Sequence, residues 1–217
     1  MPDAEPEPEE PRTAGSPGEP DPWRNRASMA QRGGRGYAEL ITAMRLVQNR
    51  LAAAAPPPDV VRAVTSKLEQ VGTLLAPYEV SEWEAPIGTR LDLPGRGHPL
   101  LLPLVIDEWT DTVVRGRVTF PRYYLGGNGA AHGGTLPLLF DEVMGRLSNG
   151  GGRSVARTAY LHVNYRSITP IDRELEIEVT FDRQQGRKRY VTGRLRDGDV
   201  LLADAEGLFV ELRPGQP

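Results

Sequence analysis

Residues 126–148 constrain the fold of this chain more than any other stretch. A glycine-rich approach, Gly126-Gly127-Asn128-Gly129, leads through His132-Gly133-Gly134 into an apolar run, Thr135 to Leu147, with a carboxylate in its middle. Leu136, Phe140, Val143 and Leu147 recur at i, i+4, i+7 and i+11, which predicts one buried stripe of an α-helix. Leu138, Asp141, Gly145 and Ser148 share a second face, where Gly145 leaves space beside Asp141. Pro137 falls in the first turn, where amide protons have no internal partner and proline costs little. The glycines present such amides at the positive end of the helix dipole, which suits an oxyanion or a polarised carbonyl. An acidic residue on a buried helix is expected to be paired or in use. From Gly133 to Asp141 is about 12 Å at 1.5 Å of rise per residue. The amide of one and the carboxylate of the other therefore cannot both reach one carbonyl group from a single helix. If both serve one reaction, two copies of the helix meet antiparallel, and the protein is a dimer.

Around this helix the pattern alternates with a period of two. Leu100–Glu108 and Thr112–Phe120 read as strands before it. After a flexible break at Asn149-Gly150-Gly151-Gly152, Ala159, Leu161, Val163 and Tyr165 alternate with Thr158, Tyr160, His162, Asn164 and Arg166. Leu175, Ile177, Val179 and Phe181 point inward from the next strand, and residues 188–196 and 200–212 add two more around the turn Asp197-Gly198-Asp199. One long apolar helix followed by four antiparallel strands predicts an α+β fold with the sheet wrapped on the helix.

Three segments are expected. Residues 1–34, rich in Pro, Glu and Gly, should form a disordered acidic tail, because they bury too little to offset ordering entropy. Residues 35–77 read as a helical hairpin. Tyr37, Leu40, Ile41, Met44, Val47 and Leu51 line its first helix, and Pro56-Pro57-Pro58 ends it. Asp59 reads as the N-cap of the second, with Val61, Val64, Leu68, Val71 and Leu75 as its stripe. Both stripes are expected to pack on the protein's own domain, residues 78–217.

Composition narrows the function. The chain has no cysteine, so disulfides and thiolate zinc sites are excluded, and its three scattered histidines give no metal pattern. No secretory leader and no run near the length of a membrane span is visible, so a cytoplasmic protein is expected. The net charge of −3 hides a split: residues 1–22 hold seven acidic side chains and one Arg, leaving 25 basic against 22 acidic elsewhere. Residues 153–196 alone carry ten basic and five acidic side chains, a surface suited to an anionic ligand.

His-Gly-Gly with Asp141 nine positions after His132 resembles the hotdog-fold acyl-CoA thioesterases of the PaaI type. The run Thr158–Pro170 resembles the family's next strand down to its closing Thr169-Pro170, and Gly186-Arg187-Lys188 resembles one of its hairpin turns. The resemblance covers residues 100–213 and implies a hotdog fold that hydrolyses acyl-CoA to free acid and coenzyme A. In it Asp141 is general base or nucleophile, and the Gly133 amide polarises the thioester carbonyl. The Thr158 hydroxyl orients water or substrate, and His132 bonds backbone nearby. Arg166, Arg187 and Lys188 are the candidates for the phosphates of coenzyme A. Coenzyme A enters as part of the substrate, with no metal or separate cofactor, no nucleic-acid partner, and a homodimer or a tetramer of such dimers. Glu142, about 100° round the helix from Asp141, is expected in a salt bridge across the dimer. One departure is visible: some relatives carry a polar Asn or Gln where this chain has Gly126. That departure and the N-terminal extension keep a second reading open, a non-catalytic acyl-CoA-binding or scaffolding protein.

Overall fold

The computed structural model describes residues 32–216; apart from residues 32–34, the expected acidic tail lies outside them. Two helices come first, α1 (Tyr37–Ala53) and α2 (Pro58–Leu75). Turns lead to the hairpin β1 (Val105–Trp109) and β2 (Val113–Thr119), and a small ribbon of β3 (Leu125–Gly127) and β4 (Ala130–Ala131) precedes α3 (Thr135–Ser148). The chain closes with β5 (Ala156–Tyr165), β6 (Glu174–Gln185), β7 (Lys188–Asp197) and β8 (Val200–Glu211). Six strands form one antiparallel sheet in the order β1-β2-β6-β7-β8-β5. This is the hotdog arrangement expected, with two helices ahead of it.

The sheet holds α3 because one of its faces is apolar and locally hollow. Val114, Val118, Leu175, Ile177, Val179, Val191 and Leu195 turn inward against Phe140, Val143, Met144 and Leu147, all at most 1% exposed. Gly193 and Gly207 deepen the hollow: a Cβ on Gly193 would stand 3.1 Å from the Phe140 ring, and one on Gly207 3.0 Å from the Met144 sulfur. Close approach of helix to strand is what a glycine inside a strand allows. The first strand is shorter than its apolar pattern. Leu101, Leu102 and Leu104 are buried, yet the strand begins at Val105, because Pro99 and Pro103 lack the amides a ladder needs. The Asn149–Gly152 break is pinned rather than loose. Asn149 Nδ2 donates to the Gly145 carbonyl, its Oδ1 accepts from the Ala156 amide, and Arg189 donates to the Ser148 and Ser154 carbonyls.

The N-terminal helices form where expected, but not on the expected faces. Pro57, not Asp59, is the N-cap of α2, since Pro58 suits the first helical position. No residue of α2 is buried, so its stripe does not pack on the domain among the described residues. On α1 only Ile41 is buried, while Leu40, Val47 and Leu51 stay exposed. The face α1 lays on the domain is Tyr37, Ile41, Arg45 and Asn49, at i, i+4, i+8 and i+12. It is held by polar contacts: Tyr37 Oη donates to the Gly97 carbonyl, and Asn49 Oδ1 accepts from the Tyr123 amide.

Candidate active site

The turn into α3 leaves one amide unspent. The His132 N–H donates to the Tyr124 carbonyl (2.7 Å) and the Gly134 N–H to His132 Nδ1 (3.1 Å). The amides of Thr135 and Leu136 go to the carbonyls of His132 and Gly133. The Gly133 N–H alone has no acceptor among the described residues, and Gly133 is exposed. First-turn amides without internal partners are what a helix start offers to an oxygen ligand. His132 is thus a capping residue, and because its Nδ1 accepts, its ring proton is on Nε2. Tyr165 Oη donates to the Gly133 carbonyl at 2.9 Å and fixes the turn to β5. Gly126 is required by this packing, since a Cβ there would lie 2.7 Å from His132 Cα. A polar side chain in its place would displace the turn.

Asp141 and Thr158, singled out separately by the resemblance, meet in the structure. Thr158 Oγ1 donates to Asp141 Oδ1 at 2.8 Å. The simple alternation of β5 places Thr158 opposite Leu161 and Val163, on the outer face. A bulge resolves this: Thr158 pairs with Phe209 and Tyr160 with Leu208, so Ala159 is the extra residue. Inserting one residue reverses the facing of what precedes it, so Ala156 and Thr158 face α3 together with Leu161 and Val163. Asp141 itself is exposed, and its Oδ2 has no hydrogen-bond donor among the described residues.

Beside this pair lies a cleft of about 190 Å³, walled by Arg96, Asp141, Glu142, Arg146, Arg157 and Thr158. Glu142 does not await a partner subunit. Its carboxylate takes Arg146 Nε at 2.6 Å, four residues on, and Arg96 Nη2 at 2.8 Å. The Glu142 and Arg146 side chains are 8% and 5% exposed and that of Arg96 is 19%. Burial pushes the Arg96 guanidinium down from its ordinary value, and Arg146 adds to this while Glu142 and Asp141 oppose it. Arg96 escaped the sequence reading because it sits in a turn twenty-odd residues into a Pro- and Gly-rich segment. The available signal was its two flanking glycines, Gly95 and Gly97.

The three candidate phosphate cations do not converge in one chain. Arg187 and Lys188 occupy the β6–β7 hairpin, where Arg187 donates to the Glu211 carbonyl and Lys188 has no side-chain partner among the described residues. Arg166 follows β5 at the other end, with its amide on the Leu202 carbonyl and its guanidinium on Asp204. Leu202 and Glu211 are roughly 30 Å apart along β8 at 3.3 Å per residue. Arg166, already paired, is also the poorer phosphate ligand.

Comparison with known proteins agrees with the geometry. The sequence profile of the thioesterase superfamily matches residues 128–203. Bovine acyl-coenzyme A thioesterase THEM4 is 30% identical over 94 residues, 42% of this chain and 38% of that protein. Human acyl-coenzyme A thioesterase THEM5 is 27% identical over 93 residues, 42% of this chain and 37% of that one. This chain therefore matches well under half the length of these curated relatives. A solved thioesterase superfamily protein superposes with a TM-score of 0.71 at 29% identity, covering 82% of this chain and 92% of its own. That coverage extends past the sheet and α3 into the N-terminal helices. The strand order and the helix it wraps give the chain a hotdog fold, and residues 128–203 within it match the thioesterase superfamily.

Proposed function

We propose that the protein is an acyl-CoA thioesterase whose site is completed when two copies meet. The observation that carries this reading is the Asp141–Thr158 pair, with Asp141 Oδ2 unspent, on the same helix as the unspent Gly133 amide. Thr158 Oγ1 donates to Asp141 and keeps lone pairs that can accept from a water. The thioester carbonyl oxygen binds the Gly133 N–H, where charge develops as the carbon becomes tetrahedral. Water held at Asp141 and Thr158 attacks that carbon and loses a proton to Asp141. The C–S bond then breaks, and the thiolate of coenzyme A takes the proton from Asp141. Direct attack by Asp141 on the carbonyl, followed by hydrolysis of the anhydride, serves the same residues. Arg187 and Lys188 at the hairpin supply positive charge for the phosphates.

The two halves do not reach one carbonyl within a chain. Six of the eight steps from Gly133 to Asp141 lie in α3, and those six alone rise about 9 Å. Both groups are exposed along β5, one of the two edge strands of the sheet, where a second copy can add its own α3. The test is complementation. Asp141→Asn and Gly133→Pro homodimers should each be inactive. A mixed dimer would hold one doubly defective site and one intact one, recovering up to half the activity per dimer. No recovery, with subunit exchange confirmed by mass spectrometry and both variants folded, overturns the shared site. Gly126 favours a second reading, because the backbone of His132 excludes a polar side chain there and removes one contact to substrate. Full turnover in Asp141→Asn, or none in the unaltered protein, would leave an acyl-CoA-binding protein in place of an enzyme.

A further inference from the structure

The two peptide units of the turn His132-Gly133-Gly134 are used in opposite ways. In the unit joining Gly133 to Gly134, the carbonyl accepts from Tyr165 Oη at 2.9 Å and from the Leu136 amide at 3.3 Å. The N–H of that unit goes to His132 Nδ1, so both of its ends are closed within the chain. In the unit joining His132 to Gly133, the carbonyl is again doubly bonded, yet the N–H has no acceptor among the described residues. Both donors to this carbonyl come from one residue. The Thr135 amide lies 2.9 Å away and the Thr135 hydroxyl 2.6 Å away. The hydroxyl is not needed to close the turn, since the amide of the same residue already bonds the same oxygen.

A peptide unit is one resonance system. Donors on its oxygen draw the nitrogen lone pair toward the carbonyl and leave the N–H more positive. Linked hydrogen bonds strengthen one another in this way by about 10–30% per bond. For the Gly133–Gly134 unit that gain is delivered to an imidazole of the same turn. For the His132–Gly133 unit it is delivered to whatever oxygen meets the exposed Gly133 amide. Threonine hydroxyls commonly reach back to a carbonyl three or four residues earlier, as Thr42, Thr65 and Thr73 do at 2.8–3.0 Å. The carbonyls they bond lie within α1 and α2. At Thr135 the same habit falls on the peptide unit whose N–H is left for a ligand.

We propose that the Thr135 hydroxyl polarises the His132–Gly133 peptide and so strengthens the Gly133 amide as an oxyanion donor. Thr135 is a positioning residue, acting through Gly133 rather than on the reacting atoms. The inference rests on the thioesterase reading, in which charge develops on the oxygen held by that amide. The oxygen carries more charge in the tetrahedral intermediate than in the bound ester. The added polarity therefore favours the transition state over the ground state, and it acts on kcat more than on KM.

Thr135→Val keeps the branched shape without the hydroxyl, and Thr135→Ser keeps the hydroxyl without the methyl. Losing a whole oxyanion donor costs about 10²–10³ in rate, and about 10–30% of that on a logarithmic scale is about 2- to 8-fold. Thr135→Val should lower kcat by that factor at unchanged KM, on the best substrate of a panel of short, medium, long and aromatic acyl-CoAs. Thr135→Ser should restore it. A second readout needs no turnover. The nitrogen-15 resonance of Gly133 in the labelled full-length protein responds to hydrogen bonds on the carbonyl before it. It should move upfield in Thr135→Val and return in Thr135→Ser. Thr135→Ala, which also lacks the hydroxyl, takes the place of Thr135→Val if valine disturbs the helix start. An unmoved resonance on loss of the hydroxyl overturns the polarisation. A moved resonance with kcat unchanged, or an equal loss of kcat in Thr135→Ser, overturns its part in the reaction. If the unaltered protein hydrolyses no ester of the panel, the thioesterase reading has failed, and the resonance still decides the polarisation.

Discussion

Leu136, Phe140, Val143 and Leu147 on α3 and Val61, Val64, Leu68, Val71 and Leu75 on α2 repeat at the same three-and-four spacing. The first set is at most 2% exposed, whereas the second is 39–52% exposed. The spacing gave each run its helix and its face in both cases. What differs is the surface offered to that face. For α3 it is a sheet with Gly193 and Gly207 hollowed to receive Phe140 and Met144. For α2 the chain supplies none among the described residues. An apolar period therefore encodes a demand for a partner, and the rest of the sequence decides whether the same chain meets it.

The largest effects should separate two adjacent carboxylates on α3. Asp141→Asn keeps the shape and the Thr158 contact but removes the base, and should lower kcat by about 10²–10⁴ with the melting temperature nearly unchanged. Glu142→Gln should do the reverse. It leaves the buried Arg146 without its carboxylate and takes the Glu142 charge from the half-buried Arg96, a loss of about 3–5 kcal/mol in stability by urea unfolding. If instead Asp141→Asn melts early at full activity, the two assignments on this helix are exchanged.

Core packing gives the next contrast. Phe140 is fully buried against Gly193, and Phe140→Ala should cost about 3–5 kcal/mol through lost contact and the cavity left behind. Retention of the original denaturation midpoint would show that α3 is not the centre of the core.

These contrasts mark how far the sequence could be read. The helix over 135–148 and the later strands followed from period and turn residues, and the motif singled out Asp141 and Thr158 separately. The way Thr158 reaches Asp141 did not, because alternation assumes an unbroken ladder and Ala159 breaks it. Arg96 was invisible for a related reason: Pro94-Gly95-Arg96-Gly97 reads as a plain loop until its distant clamp, Arg45, is known. On α1 the leucine stripe misled, since the face that docks does so through hydrogen bonds of Tyr37, Arg45 and Asn49, which hydrophobic periodicity does not record. Local rules located the elements. Contacts between residues distant in sequence, Arg45 with His98 and Leu101 and Arg96 with Glu142, placed Arg96 in the wall of the cleft.

A surface pair sharpens the buried one. The Arg166 guanidinium, and next the Asn164 amide, hold the Asp204 carboxyl below its usual 3.8 through their hydrogen bonds. A carboxylate with a depressed folded-state value adds stability above its unfolded value, and that stability is lost as pH falls through the folded one. Asp204→Asn should therefore lower the melting temperature slightly at pH 7, less than Glu142→Gln does, because this pair is solvent-screened. The difference from the unaltered protein should shrink below pH 4. A deficit that grows on acidification would contradict the assignment of Arg166 as its cause.

The smallest effect belongs to α2, and it is the direct test of the opening contrast. Leu68 is 43% exposed on a helix with no buried residue, so Leu68→Ala removes little packing within the chain. Surface changes of this kind fall within about 0.5 kcal/mol, which for a protein of this size is a melting shift of about 2 °C or less. The measurement should be made at two protein concentrations, tenfold apart. A shift within that limit at both would mean that α2's stripe takes no part in the stability of the isolated protein. A larger loss, growing as the protein is concentrated, would show the stripe buried between copies. In that event α2 would join α3 as a helix whose partner exists, supplied by a second chain rather than by its own.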